Sequence, residues 1–199
     1  MDKLIFATNN ANKTAEIKKV LNGHFNVISL TEAGIDIDIP EPHNTLEANA
    51  REKSRTIYTL TGNNCFSEDT GLFVDALNGE PGVKSARYAG DNAQANIDKL
   101  LEKLGQENNR TARFRTVISL ILNGQEYQFE GICEGKIINS RQGSNGFGYD
   151  AVFVPEGSTR TFAEMDMAEK NLYSHRKKAV EKMVLFLTEA QTTPAKNNL

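Results

Sequence analysis

Apolar positions along this chain follow two rhythms. Short unbroken runs, such as Leu4-Ile5-Phe6-Ala7 and Val117-Ile118-Ser119-Leu120-Ile121-Leu122, suit buried strands. Apolar residues three or four apart suit helices with one inward face. On this basis residues 3–8 and 25–30 are strands. Residues 14–21 form a helix carrying Ile17, Val20 and Leu21 inward. Pro40 and Pro42 keep residues 31–43 irregular. Residues 44–60 form a helix, with Asn44 as cap and Glu47 completing a capping-box-like pattern. Strands at 65–68 and 72–76 flank a sharp acidic turn, Glu68-Asp69-Thr70-Gly71. Residues 78–90 form a glycine-rich loop, and 92–104 a helix with Ile97, Leu100, Leu101 and Leu104 on one stripe. Asn123-Gly124 predicts a hairpin between strands 112–122 and 126–133. A second glycine-rich loop, 143–149, leads into a strand at 151–154. The last helix starts near Ser174 and buries Val180, Met183, Val184 and Leu187. Residues 191–199 read as a polar, disordered tail.

Strands and helices alternate, yet the central hairpin is antiparallel. The pattern predicts an α/β fold with a mixed sheet flanked by helices, in a single two-lobed domain over residues 1–190. The 199 residues can bury a substantial core. A net charge of −3 and no basic stripe argue against nucleic-acid binding. The apolar runs are too short to span a bilayer, and the N-terminus lacks a charged-then-apolar leader. Cys65 and Cys133 form neither a metal spacing nor a disulfide framework. These features predict a cytoplasmic protein.

Four segments carry candidate chemistry. The turn Thr8-Asn9-Asn10-Ala11-Asn12-Lys13 lies between a strand and a helix, where backbone amides and Lys13 favour anions, although it is no Walker A loop. Glu41 sits between two prolines, and Asn49 and Lys53 share a helical face. Glu68 and Asp69 lie side by side, which suits a divalent metal or a general base, and equally a solvated turn with two surface acids. In Gly146-Phe147-Gly148-Tyr149-Asp150 the third glycine of a dinucleotide fingerprint is missing; an aromatic there could stack on a planar ring, and Asp150 could accept from ring N–H groups. Lys170 stands near Ser174-His175-Arg176. With Ser174 as cap, His175 and Arg176 place positive charge in a helical first turn, against the dipole, as a ligand site would. His24 and His43 read as surface residues.

Together these segments closely resemble the inosine triphosphate pyrophosphatase family. The matching pieces are Ala7 to Lys13, Thr45-Leu46-Glu47-Ala48-Asn49-Ala50, Glu68 to Leu72, Pro81-Gly82-Val83-Lys84-Ser85-Ala86-Arg87-Tyr88-Ala89-Gly90, Gly146 to Asp150, and Lys170 to Arg176. They occur in family order from Leu4 to about Leu187. The resemblance implies an elongated mixed sheet with helices, two lobes around a central substrate cleft, and a homodimer. It implies Mg2+-dependent hydrolysis of non-standard purine nucleoside triphosphates (ITP, dITP, XTP) to the monophosphate and pyrophosphate.

Carried over by residue, the resemblance makes Asp69 the general base and a metal contact, with Glu41 a second metal carboxylate. It places Thr8, Asn9, Asn10, Ala11, Asn12, Lys13 and Lys53 on the triphosphate, and Thr70 on the substrate. Phe147, Gly148, Tyr149, Asp150, Lys170, His175 and Arg176 hold the base. Two positions depart from the family pattern: Ala48, where an acid is usual, and Lys84, near a usual aromatic. Rival readings are a pyrophosphatase for modified pyrimidine nucleotides and a nucleotide-sensing module without turnover.

Overall fold

The computed structural model describes residues 3–21, 25–90 and 92–192. A seven-stranded mixed sheet runs in the order β2-β1-β3-β5-β6-β7, with β4 alongside β3. Its strands are β1 (Lys3–Phe6), β2 (Asn26–Ser29), β3 (Cys65–Val74), β4 (Pro81–Gly82), β5 (Thr111–Leu122), β6 (Gln125–Ile137) and β7 (Phe153–Pro155). β1 is parallel to both β2 and β3, and the remaining pairings are antiparallel. The helices are α1 (Ala11–Leu21), α2 (Leu46–Thr61), α3 (Ala93–Leu104), α4 (Met167–Tyr173) and α5 (His175–Thr192).

Both faces of the central strands are covered, which explains their near-continuous apolar runs. In β5, Ile118 and Leu120 pack with Ala179, Val180 and Met183 of α5, while Val117 packs with Leu46 and Ala50 of α2. Ile17 and Leu21 of α1 join the α5 side. A separate core forms around α3, from Ile97, Leu100 and Leu104 with Phe114, Phe153 and Phe162. This cluster shares no buried residue with those on either side of β5. The Asn123-Gly124 hairpin forms as expected, both residues holding positive φ.

Three local expectations are corrected and one helix is added. Residues 65–74 form one continuous strand, with no turn at Thr70-Gly71. Gly71 serves packing instead: a Cβ there would lie 2.5 Å from the Gly82 carbonyl oxygen of β4. The cap of α2 is Thr45, whose hydroxyl accepts from Ala48 N at 3.2 Å, and Asn44 lies outside the helix. Glu47 completes no capping box; its carboxylate pairs with Arg115 at 2.9 Å. The short helix α4 was not foreseen. Asp166 caps it, accepting from Glu169 N. α5 continues to Thr192, and the rest of the expected tail lies outside the described residues, as does His24.

Candidate active site

The break between β1 and β4 creates the site. β1 last pairs with β3 at Phe6–Phe66, and β4 joins the same edge only at Leu72. Residues 67–71 of β3 therefore have no strand beside them on that edge. The gap opens at the carboxyl end of β1, where α1 and α2 depart to opposite faces of the sheet. In α/β sheets this is where ligands bind. A cleft of about 320 Å3 lies here, bounded by the turn after β1, residues 38–41, β3, residues 83–86, residues 147–150 and the start of α5. That volume suits a ligand of nucleotide size.

Strand alternation sends the neighbouring acids of β3 to opposite faces. Asp69 points toward α2, where Asn49 Nδ2 donates to its Oδ2 at 3.2 Å and Lys53 Nζ lies 3.4 Å from Oδ1. Glu41 accepts from the same Lys53 ammonium at 2.6 Å and from Arg87 at 3.0 Å. Burial raises the Asp69 pKa above its ordinary value, and Glu41 adds to this; Lys53 and Lys13 only partly offset the rise. Burial also acts to raise the Glu41 pKa, but Lys53, Lys13 and Arg87 outweigh it and leave a net lowering. Two carboxylates sharing one cation are thus pushed in opposite directions.

Glu68 faces α1 and α5. Its carboxylate receives Arg176 Nε at 2.7 Å, Arg176 Nη2 at 3.0 Å and Lys13 Nζ at 3.0 Å. Glu16 of α1 bridges Arg176 and Lys170, accepting from Lys170 Nζ at 3.0 Å and from Arg176 Nη1. Lys170 also donates to Asp150 at 2.7 Å. All five of Glu16, Glu68, Asp150, Lys170 and Arg176 are buried. Phe147 lies against this cluster, with Lys170 Nζ 5.2 Å and Arg176 Cζ 5.7 Å from its ring centre. His175 stacks on Phe114 at 4.7 Å. Burial, with Arg176 and Lys170 nearby, holds the His175 pKa well below its ordinary value, so the imidazole is neutral. Its buried Nδ1 has no protein partner. Of the two cations expected at the start of α5, His175 is therefore neutral and only Arg176 is charged, neutralised by Glu68 and Glu16. Ser174 does cap this helix, accepting from Lys177 N at 3.2 Å.

Most of the residues singled out from sequence meet in this cleft: Thr8, Asn9, Asn10, Lys13, Glu41, Lys53, Asp69, Thr70, residues 147–150, Lys170, His175 and Arg176 all line it. Ala11 and Asn12 do not; they sit exposed in the first turn of α1. Asn10 caps that helix, its side chain accepting from Asn12 N at 3.0 Å and Lys13 N at 3.1 Å. Asp150 Oδ2 is engaged internally, accepting from Phe147 N as well as Lys170. Gly146 permits this approach, since a Cβ there would collide with Asp150 Oδ2. Sequence reasoning missed Glu16, Ser85, Phe114 and Arg87. For Glu16 a signal existed: it falls on the inward stripe of α1 with Lys13, Ile17 and Val20.

Fold and cleft together define an α/β protein with a nucleotide-sized, charge-lined site at the carboxyl end of its parallel strands. A family model for the Ham1 family matches residues 4–186, and the chain belongs to that family. It is 50% identical over 190 residues to a dITP/XTP pyrophosphatase of Porphyromonas gingivalis, covering 94% of this chain and 98% of that one. It is 48% identical over 188 residues to a dITP/XTP pyrophosphatase of Flavobacterium johnsoniae, again covering 94% and 98%. A solved HAM1 protein structure from Coxiella burnetii superposes with a TM-score of 0.87 at 38% identity, covering 95% of this chain and all of that one.

Proposed function

We propose that this protein hydrolyses non-standard purine nucleoside triphosphates, dITP and XTP among them, to the monophosphate and pyrophosphate. Relatives bearing that name across nearly the whole chain support the substrate class. The observation that carries the reading is the cleft's polarity. One end holds Asp69 with Lys53 and Glu41, the middle holds Lys13, and the other end holds Phe147 beside Lys170, Arg176 and neutral His175.

The donor set suits Mg2+. Among the described residues no group of three or more potential ligand side chains gathers to hold a metal alone. Mg2+ is usually held by one or two carboxylates with substrate phosphates and water. Charge balance points the same way. Lys13, Lys53, Arg87, Lys170 and Arg176 are matched by Glu16, Glu41, Glu68, Asp69 and Asp150, so a triphosphate finds no net positive charge in the chain itself. Asp69 and Glu41 are the residues that would hold the ion. When bound, it supplies charge neutralisation and polarises the phosphate oxygens.

Asp69 takes a proton from a water whose oxygen forms the new bond to the α-phosphorus. The bond from that phosphorus to the bridging oxygen breaks, and pyrophosphate leaves with the bonding pair. A pKa raised by burial makes Asp69 a better base than an ordinary aspartate, and Asn49 fixes its orientation. Lys53 and Lys13 face the departing charge. At the other end the base stacks on Phe147. Lys170 has a third proton free after serving Glu16 and Asp150, suited to the six-oxo group of hypoxanthine or xanthine. Adenine presents an amine there, leaving a buried donor unpaired, a mismatch that discriminates strongly. The protein acts in the cytoplasm as a homodimer in this reading.

A panel of dITP, XTP, GTP, ATP and modified pyrimidine triphosphates, each with and without Mg2+, tests this. Rapid pyrophosphate release from dITP and XTP only with Mg2+ is expected. Preferential release from a pyrimidine substrate favours the rival enzyme, and binding without release favours a sensor.

A further inference from the structure

Among the cations around the cleft, Arg87 differs from the rest. Lys53 and Lys13 are largely buried, with side chains 9% and 16% exposed, whereas the Arg87 side chain is 57% exposed. Its partner is Glu41, at 3.0 Å. Arg87 and Glu41 belong to different parts of the molecule. Glu41 follows Ile35, Ile37 and Ile39, which pack on the core beneath α2. Arg87 precedes Tyr88, which packs into the core around α3. The ion pair therefore joins these two parts at the edge of the cleft, through Glu41, which lines it with Asp69 and Lys53.

The backbone that carries Arg87 is anchored on several sides. Ser85 Oγ accepts from Leu72 N at 2.8 Å and donates to Gly82 O at 2.6 Å. Tyr149 OH donates to Ser85 O at 2.9 Å, and Asn96 Nδ2 donates to Ala86 O at 3.0 Å. A largely exposed guanidinium thus projects from an anchored backbone beside the cleft wall formed by Ser85 and Ala86. Resting on the pyrophosphohydrolase reading above, we propose that Arg87 binds the two terminal phosphates, which become the pyrophosphate leaving group. Glu41 holds it in waiting beforehand.

The exchange is physically economical. An exposed ion pair contributes little, so releasing Glu41 costs little. Guanidinium matches phosphate oxygens with paired donors better than an ammonium does. The same event frees Glu41 from Arg87, which neutralises the terminal phosphates, while Lys53 stays on Glu41. Arg87 thereby acts on the leaving group and not on the base, which lies at the opposite end with Lys170 and Arg176.

The test compares the full-length wild type with R87Q and R87K. Inhibition of dITP hydrolysis by added pyrophosphate and by dIMP is measured, with direct calorimetry of pyrophosphate in Mg2+. Arg87 is too exposed for R87Q to threaten folding. Loss of a charge-assisted phosphate contact predicts that pyrophosphate affinity falls about 10- to 100-fold in R87Q. The dIMP inhibition constant moves less than about twofold, and R87K recovers part of the loss. Unchanged pyrophosphate affinity in R87Q, or equal weakening toward pyrophosphate and dIMP, overturns the assignment and leaves Arg87 a mere tether for Glu41. A wild type that neither hydrolyses dITP nor binds pyrophosphate overturns the parent reading instead.

Discussion

Replacing Glu68 by Gln tests whether the buried charges of the cleft stand or fall together. Glu68 has no exposed side-chain surface and receives Arg176 through two nitrogens, plus Lys13. Glutamine keeps the shape but removes the charge and turns one acceptor into a donor facing other donors. Removing one partner of a buried ion pair costs about 3–5 kcal/mol. Arg176 keeps Glu16, and Lys13 reaches some solvent, so the lower figure applies, about 3 kcal/mol. For a chain of this size that is a fall in Tm of about 6–12 °C. Burial alone would raise the Glu68 pKa, but Arg176 and Lys13 overcome it and hold it well below 4.5. A folded pKa below the unfolded one means stability that is present above about pH 4.5 and is lost as acid protonates the folded carboxylate. Urea denaturation across pH should therefore show a constant gap between wild type and E68Q near neutrality. The gap should shrink as pH falls below about 4.5 toward the folded pKa. A gap under about 1 kcal/mol at pH 7, typical of exposed pairs, would refute the reasoning, as would a gap that widens with acid.

Further expectations concern the reaction. Asp69→Asn should lower kcat by about 10²–10⁴ with Tm nearly unchanged, and near-normal turnover would remove Asp69 from the base role. Because burial raises the Asp69 pKa, an NMR titration of the Mg2+-free protein should place this carboxyl above 3.8, the ordinary value; a value at or below it contradicts the buried environment. Gly146→Ala places a Cβ against Asp150 Oδ2 at a residue with φ of 74°, so it should loosen Lys170 and Phe147. Its expected signature is a narrowed preference for dITP over dATP in paired kcat/KM measurements; an unaltered ratio would show that this loop does not set selectivity.

Much of the architecture was legible in the sequence because it depends on local rules. The inward stripes of α3 and α5 and the Asn123-Gly124 hairpin follow from periodicity and turn chemistry. The errors fall where distant residues decide. Thr70-Gly71 reads as a turn because glycine usually marks one, yet Gly71 is there to let β4 approach. Glu68 and Asp69 look misplaced in a strand until Arg176, more than a hundred residues away, supplies the partner of one and the gap in the sheet opens a cleft beside the other. Most site residues, Glu41 and Lys53 apart, fall in six ordered motifs, which carry identity without geometry. For that reason the motif shows Arg176 only as positive charge set against a helix dipole, whereas the structure shows it braced by two carboxylates. Glu16 belongs to no motif, and only its place on the inward stripe of α1 marks it, because its partners Lys170 and Arg176 are far away in the chain.

The central claim is that water attacks the α-phosphorus in a cleft that holds the base at one end and the leaving group at the other. Hydrolysis of dITP in water enriched in oxygen-18, followed by mass analysis of both products, addresses it directly. The label should appear in dIMP, with pyrophosphate unlabelled. Label in the pyrophosphate, or release of orthophosphate in its place, would contradict it.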